Sequence, residues 1–370
     1  FRARLDGSGA MVVKIGSSLL IDETGAARTD WMGRLCGMLA ARPGPVVLVS
    51  SGAIALGRSA LDLRGRPSSL AEAQACAAIG QIRLAALWSK VWAEHGRISA
   101  QVLLTVGDLE HRGRYLNARN TLETLVEQGV VPIVNENDTV ATGEIRFGDN
   151  DRLSARVAQL VGAEMLVLLS DVDGLYDANP KTNPAAKPIP VVERIDSSVE
   201  ALAEGPEATG FGTGGMVSKL AAARVATAAG CPVLLTSGAG QAEPISRFLE
   251  SERGTWFQAS GKPLARRKQW LRGLQRSAGR IAIDTGAAGA LKNGASLLAR
   301  GITATTGHFE PGELVLLESP AGSLGQGLTA YSATDLNCIV GLHSDEFEAR
   351  LGYPGRGPVV HRDDLILFEE

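Results

Sequence analysis

An alternation constrains this chain most. Short runs rich in Val, Ile and Leu recur along its first two thirds, with helix-period segments between them. The runs are Met11–Ile15, Val46–Ser50, Ile98–Leu104, Val130–Val134, Met165–Ser170 and Pro232–Thr236. Their near-continuous apolar character reads as strands buried on both faces of a parallel sheet. Between them, Asp30–Ala41, Leu70–Glu94, Tyr115–Glu127, Asp151–Val161 and Val217–Ala229 read as helices. The alternation predicts an α/β fold, an open and mostly parallel sheet sandwiched by helices. Ligands in such sheets sit at the carboxyl ends of the strands.

The pattern changes near residue 260. Lys262, Arg266, Arg267, Lys268, Arg272, Arg276 and Arg280 fall within Lys262–Arg280, with no acid among them. Beyond come short strands, turn glycines and little helical period, as in a small, mostly β domain. A chain of 370 residues is also long for a single core. The expected organisation is a main domain over 10–259, a basic linker over 260–276 and a second domain over 277–370. From Ser277 onward six basic residues face twelve acids. That acidic balance disfavours RNA, whose phosphates demand the opposite sign, and favours an architectural or regulatory role for the domain. With 37 basic and 40 acidic residues overall, a surface built wholly for nucleic acid is excluded. No apolar run approaches the roughly 20 residues of a membrane span. Cys36, Cys76, Cys231 and Cys338 are isolated, in apolar surroundings and outside any metal-ligand spacing. They are expected to be buried thiols of a cytoplasmic protein.

Five motifs carry chemistry. In V-K-I-G-S-S, Lys14 ends a strand and Gly16 opens a turn whose amides can meet an anion. S-S-G-A, with Ser51, follows the second strand and precedes a helix, whose free amides attract carboxylate or phosphate. N-E-N-D (Asn135 to Asp138) and G-D-N-D (Gly148 to Asp151) cluster acids and amides at one strand end. Asp138 suits the ammonium of an amino acid, and Asn150 can donate to a carboxylate. S-D-V-D-G-L-Y begins with Ser170 and Asp171 at the next strand end. G-F-G-T-G-G-M-V-S-K places four glycines before a helix, with Lys219 near its start. A P-loop signature is missing, and so is a G-x-G-x-x-G after the first strand, which disfavours P-loop and nicotinamide enzymes.

In this order, VKIGSS, VSSGAIALG, YLNARNTL, VPIVNENDTV, FGDNDRLSA, LLSDVDGLY and GTGGMVSK resemble the amino acid kinase family over nearly the whole chain. K-N-G-A-S-L-L-A-R-G-I with G-E-L-V resembles a PUA domain, a module absent from the acetylglutamate, aspartate and uridylate kinases of that family. The resemblance implies transfer of the γ-phosphoryl of ATP, with Mg2+, to the γ-carboxylate of free L-glutamate, the first step of proline biosynthesis. It implies Lys14, Lys219 and Asp151 as catalytic residues, Asp151 organising the two lysines. It implies a nucleotide site of Lys14, Gly16, Ser170, Asp171, Gly212, Thr213, Gly214, Gly215, Met216 and Lys219. The glutamate site would hold Ser51, Asp138 and Asn150. Further implied are inhibition by L-proline, a downstream glutamyl phosphate reductase (glutamate-5-semialdehyde dehydrogenase) and a homo-oligomer, dimer or tetramer. The rival readings are another amino acid kinase, chiefly one for N-acetylglutamate, and an RNA-binding PUA protein. An acid at 138 favours a free ammonium over an acetamide, because an unpaired buried carboxylate is costly.

Overall fold

The computed structural model describes residues 4, 6–63, 65, 67–110, 112–140, 150–180, 182–203, 215–239, 245, 253–259 and 277–368. Two compact units divide the chain: Phe1–Leu109 with Arg119–Pro263, and Glu110–Ala118 with Leu264–Glu370.

The first unit is built on an eight-stranded sheet. In chain order its elements are β1 (Met11–Ile15), α1 (Ser17–Leu20), α2 (Thr29–Ala40), β2 (Val46–Ser50), α3 (Ala53–Ala60) and α4 (Leu70–Glu94). Then follow β3 (Ser99–Leu104), α5 (Val106–Glu110), α6 (Arg112–Glu127), whose first turns fall in the second unit, β4 (Val131–Glu136), α7 (Asn150–Leu160) and β5 (Met165–Ser170). A small antiparallel pair, β6 (Leu175–Tyr176) and β7 (Pro188–Ile189), precedes β8 (Val191–Val192), α8 (Ser197–Ala201), α9 (Met216–Ala228), β9 (Val233–Ser237) and β10 (Thr255–Phe257). The strand order is β3-β4-β2-β1-β5-β9-β10-β8, parallel from β3 to β9, with β10 antiparallel to β9.

β1 lies in the middle, paired with β2 on one side and β5 on the other, and all five of its residues are buried. The chain runs from β1 out to one edge and returns to β5 on the opposite side. Their carboxyl ends therefore form the switch point where open sheets bind ligands. The expectation of strands buried on both faces fails at β3, whose residues are mostly half-buried or exposed. β3 is the sheet edge, so it lacks a neighbour on one side. That explains how Ser99 and Gln101 fit within it.

One core cluster joins Met11, Val13 and Ile15 of β1 to Trp31, Met32 and Leu35 of α2 and to Leu84 and Trp88 of α4. Helices α3 and α4 touch backbone to backbone. A Cβ on Gly80 would sit 1.7 Å from the Ala53 carbonyl oxygen, and one on Gly57 would sit 1.8 Å from that of Cys76. Only glycine permits that approach. It brings the turn after β2 against the middle of α4.

The second unit holds a five-stranded sheet of order β12-β11-β13-β14-β15, with β11 (Gly279–Ile283), β12 (Ile302–Gly307), β13 (Leu314–Ser319), β14 (Gly322–Thr329) and β15 (Val360–Leu367). Among its described residues after 277 it also holds the short helices α10 (Thr285–Lys292), α11 (Ala333–Ile339) and α12 (Phe347–Leu351), although its sequence shows little helical period. Five to eight residues are too few to display one, and local caps start two of them, Asp284 accepting from Ala287 N and Ser332 from Asp335 N. Tyr331 and Phe347 pack edge to face in its core at 6.1 Å. Cys338 is exposed on α11, against the expectation for the four cysteines, while Cys36, Cys76 and Cys231 are buried. The linker over 260–276 lies outside the described residues; Arg280, the last of the basic run, pairs with Glu318 at 2.7 Å. Among the described residues no helix is long and apolar enough to cross a membrane.

Candidate active site

Strand pleating decides where Lys14 goes. Successive side chains alternate between faces, so Met11, Val13 and Ile15 enter the core under α2 and α4. Lys14 takes the other face, where α7 packs on β1. A lysine at a strand end could simply point to solvent, but this one is only 5% exposed. Its ammonium lies 2.7 Å from Asp151 Oδ1. Asp151 is fully buried in the first turn of α7, where the helix dipole favours a negative charge. Its Oδ2 accepts a hydrogen bond from Ser218 Oγ at 2.6 Å and lies 3.5 Å from Lys219 Nζ. Ser218 and Lys219 belong to the first turn of α9.

These charges are interdependent. Burial opposes the Asp151 carboxylate, but the positive charges of Lys14 and Lys219 outweigh it and hold its pKa below the ordinary value. Burial pulls the Lys219 pKa down, and Asp151 works against that. A buried cation is costly unless paired, so one acid shared by two lysines allows both to sit in the interior. Within the ion-paired cluster two ammonium groups face one carboxylate, with Asp171 acting on Lys219 from farther off.

Three of the helices opening at this end begin on glycine. Gly16, Gly52 and Gly215 stand at the N-caps of α1, α3 and α9, none with a side-chain cap. Side chains do cap α4, through Ser69, and α8, through Asp196, whereas α2 also lacks a side-chain cap. With no side-chain cap among the described residues, the N-terminus of α9 can meet an anionic ligand. A Cβ on Gly16 would stand 4.0 Å from Lys14 Nζ, in the space before the ammonium, and Gly215 has open space around it. Ser170 Oγ donates to Asp171 Oδ1 at 2.9 Å at the end of β5, the strand beside β1. Two buried cations, a helix N-terminus without a side-chain cap and glycines with open space fit a nucleotide triphosphate.

The neighbouring centre is neutral. Asn150, first residue of α7, donates from Nδ2 to Ser51 Oγ at 3.0 Å and to Asn135 Oδ1 at 3.1 Å. Asn135 Nδ2 donates to Gln81 Oε1 of α4 at 2.7 Å. Trp88 of the same helix donates to Ser50 Oγ at 2.9 Å. Both hydrogens of the Asn150 amide are thus taken by protein groups. In this arrangement the Asn150 amide reaches the site through Ser51, the other residue expected to hold glutamate. Asp138 follows β4, half-buried, and burial pushes its carboxyl up to about 6.

Of the residues singled out by sequence, the structure brings Lys14, Asp151 and Lys219 into one ion-paired cluster and Ser51 and Asn150 into direct contact. Gly16, Ser170 and Asp171 stand at the carboxyl ends of β1 and β5, and Gly215 and Met216 open α9. Gly212, Thr213 and Gly214 lie outside the described residues. Sequence reasoning passed over Ser218 and Gln81. Ser218 was legible in principle, one position before Lys219. Gln81 gave no motif; its only signal is a polar residue on the apolar stripe formed with Leu84 and Trp88.

The sequence profile of the Amino acid kinase family matches residues 10–237, and that of the PUA domain matches 279–351. The chain is 50% identical to a glutamate 5-kinase of Paramagnetospirillum magneticum, covering 96% of this chain and 97% of that one. It is 49% identical to a glutamate 5-kinase of Paracoccus denitrificans, covering 96% of each. A glutamate 5-kinase of Dinoroseobacter shibae is 50% identical over 99% of this chain and its own full length. The chain belongs to the amino acid kinase family, with a PUA domain at its C-terminal side.

Proposed function

We propose that this protein phosphorylates the γ-carboxylate of free L-glutamate with ATP, giving L-glutamyl 5-phosphate, the first step of proline biosynthesis. The observation that carries the reading is the buried Lys14–Asp151–Lys219 cluster, with the Ser51–Asn150 pair held next to it by the adjacent residue of the same helix. The glutamate 5-kinases among its relatives support it.

The nucleophile needs no base. A γ-carboxylate of pKa about 4.3 is already ionised at neutral pH. The obstacle is the approach of two anions, so rate comes from alignment and from charge held in place. Lys14 and Lys219 hold the β- and γ-phosphoryl oxygens. Asp151 fixes the two ammonium groups and takes no proton. The amides of α9 receive phosphate, and Ser170 with Asp171 borders the nucleotide. A Mg2+ ion brought with the nucleotide would supply further charge neutralisation beside Lys14 and Lys219. Asp138 receives the substrate ammonium, and Ser51 donates to a carboxylate. The acyl phosphate is labile in water, so a reductase must consume it promptly. Inhibition by L-proline, a homo-oligomeric assembly and a cytoplasmic location belong to the same reading.

The test is ADP release with Mg-ATP and L-glutamate, N-acetyl-L-glutamate or L-aspartate, with hydroxylamine present to trap an acyl phosphate. Turnover and a hydroxamate with glutamate alone are expected. Turnover with N-acetylglutamate instead would overturn the role of Asp138. No turnover with any of the three would overturn the activity.

A further inference from the structure

We propose that Gln81 is a positioning residue for glutamate: it anchors an amide chain whose direction makes the Ser51 hydroxyl a hydrogen-bond donor to a substrate carboxylate. The inference rests on the reading of this pocket as the glutamate site.

The direction follows from one group that can only donate. The backbone N–H of Glu136 donates to Asn135 Oδ1 at 2.9 Å and to Asn150 Oδ1 at 3.3 Å. This fixes the oxygen end of both amides. Asn135 Nδ2 must then be the donor in its 2.7 Å contact, and Gln81 Oε1 the acceptor. Asn150 Nδ2, with two hydrogens, spends one on Asn135 Oδ1 and one on Ser51 Oγ. The Ser51 oxygen accepts, so its own hydrogen points elsewhere. Among the described residues nothing receives it. Gln81, Asn135 and Asn150 are buried, whereas Ser51 is half-buried. The polarised chain therefore ends in a single accessible O–H, and a carboxylate oxygen is the acceptor it fits.

Gln81 matters because it closes the buried end. Without its oxygen, Asn135 Nδ2 loses its acceptor in the interior, where such a loss is costly. Asn135 can then leave the orientation that holds Asn150, and Ser51 is no longer fixed as a donor. Helix α4 is suited to this role. Gln81 and Trp88 lie two turns apart on it, gripping the ends of β4 and β2. The close approach at Gly80 holds α4 against α3.

The experiment is steady-state kinetics and ligand-induced thermal shift on the full chain, for wild type, Gln81→Met and Gln81→Glu. Met keeps the length and removes the acceptor; Glu keeps an oxygen in place. For Gln81→Met we expect KM for glutamate to rise about tenfold, the loss of roughly one hydrogen bond. KM for ATP and kcat should stay within about threefold. In Gln81→Glu, KM should return most of the way. Should Gln81→Met not fold, Gln81→Asn, one carbon too short to reach, must show the same rise. A folded Met or Asn variant with unchanged KM for glutamate overturns the proposal. So does a fall in kcat with both KM values raised alike, which would mean general loosening. If wild type shows neither turnover nor a thermal shift with glutamate, the activity reading falls and this inference with it. If wild type responds and the Met variant responds equally, only this inference falls.

Discussion

Asn150 and Asp151 are adjacent in one helical turn, yet they anchor two centres that work differently. Asp151 gathers formal charges, two lysines and a serine hydroxyl around one buried carboxylate. Asn150 gathers neutral groups, joining Ser51 to Asn135 and through it to Gln81. Charge acts at a distance and strengthens in a dry interior, so the first centre can stabilise a crowd of phosphate oxygens. Amide hydrogen bonds act only at contact and carry direction, so the second can discriminate shape and donor pattern. On the proposed reading, rate and recognition are separated across a single peptide bond.

The largest test of that separation is Lys219→Ala or Lys14→Ala. Either should lower kcat by about a hundredfold or more with the fold intact and KM for glutamate little changed. Single-turnover kinetics beside circular dichroism would check it; an active double variant would end the assignment. Asp138→Asn comes next, and should raise KM for glutamate with kcat nearly kept. Its pH dependence has a definite sign. A carboxyl whose pKa is pushed up to about 6 is protonated below that pH, so KM for glutamate in wild type should climb as pH falls through about 6. The same raised value means that Asp138 favours the folded state at low pH and loses that contribution as pH rises through about 6. The ligand-free Asn variant should therefore melt above wild type at pH 8, and the gap should close at pH 4. Ser218→Ala is the smallest change. Removing one neutral donor from Asp151 should reduce kcat by several fold, roughly the worth of one hydrogen bond, and leave KM for glutamate unchanged. If Ser218→Ala moved KM for glutamate instead, the two centres would not be separate.

How much was legible beforehand differs between the centres for a physical reason. Lys14, Asp151 and Lys219 lie in motifs at strand ends and helix starts, and it was the resemblance of those motifs to the amino acid kinase family that implied their joint role. Gln81 carries no such mark, because a glutamine on a long helix is unremarkable until its partner is known. Its role depends on α3 and α4 touching at Gly57 and Gly80, through contacts with Cys76 and Ala53 on the facing helix. The role of Asn150 was half legible: its place in the pocket could be read, but not that both of its hydrogens are consumed.

By itself, the sequence determined the alternation of strands and helices, hence the parallel sheet and the site at its carboxyl ends. These follow from local periodicity, and periodicity is written along the chain. Tertiary structure decided which strand became the exposed edge, which cysteine reached the surface and which face of β1 received Lys14. It also decided which way the amide chain points. Those outcomes depend on what packs against each residue, and packing partners come from distant parts of the chain.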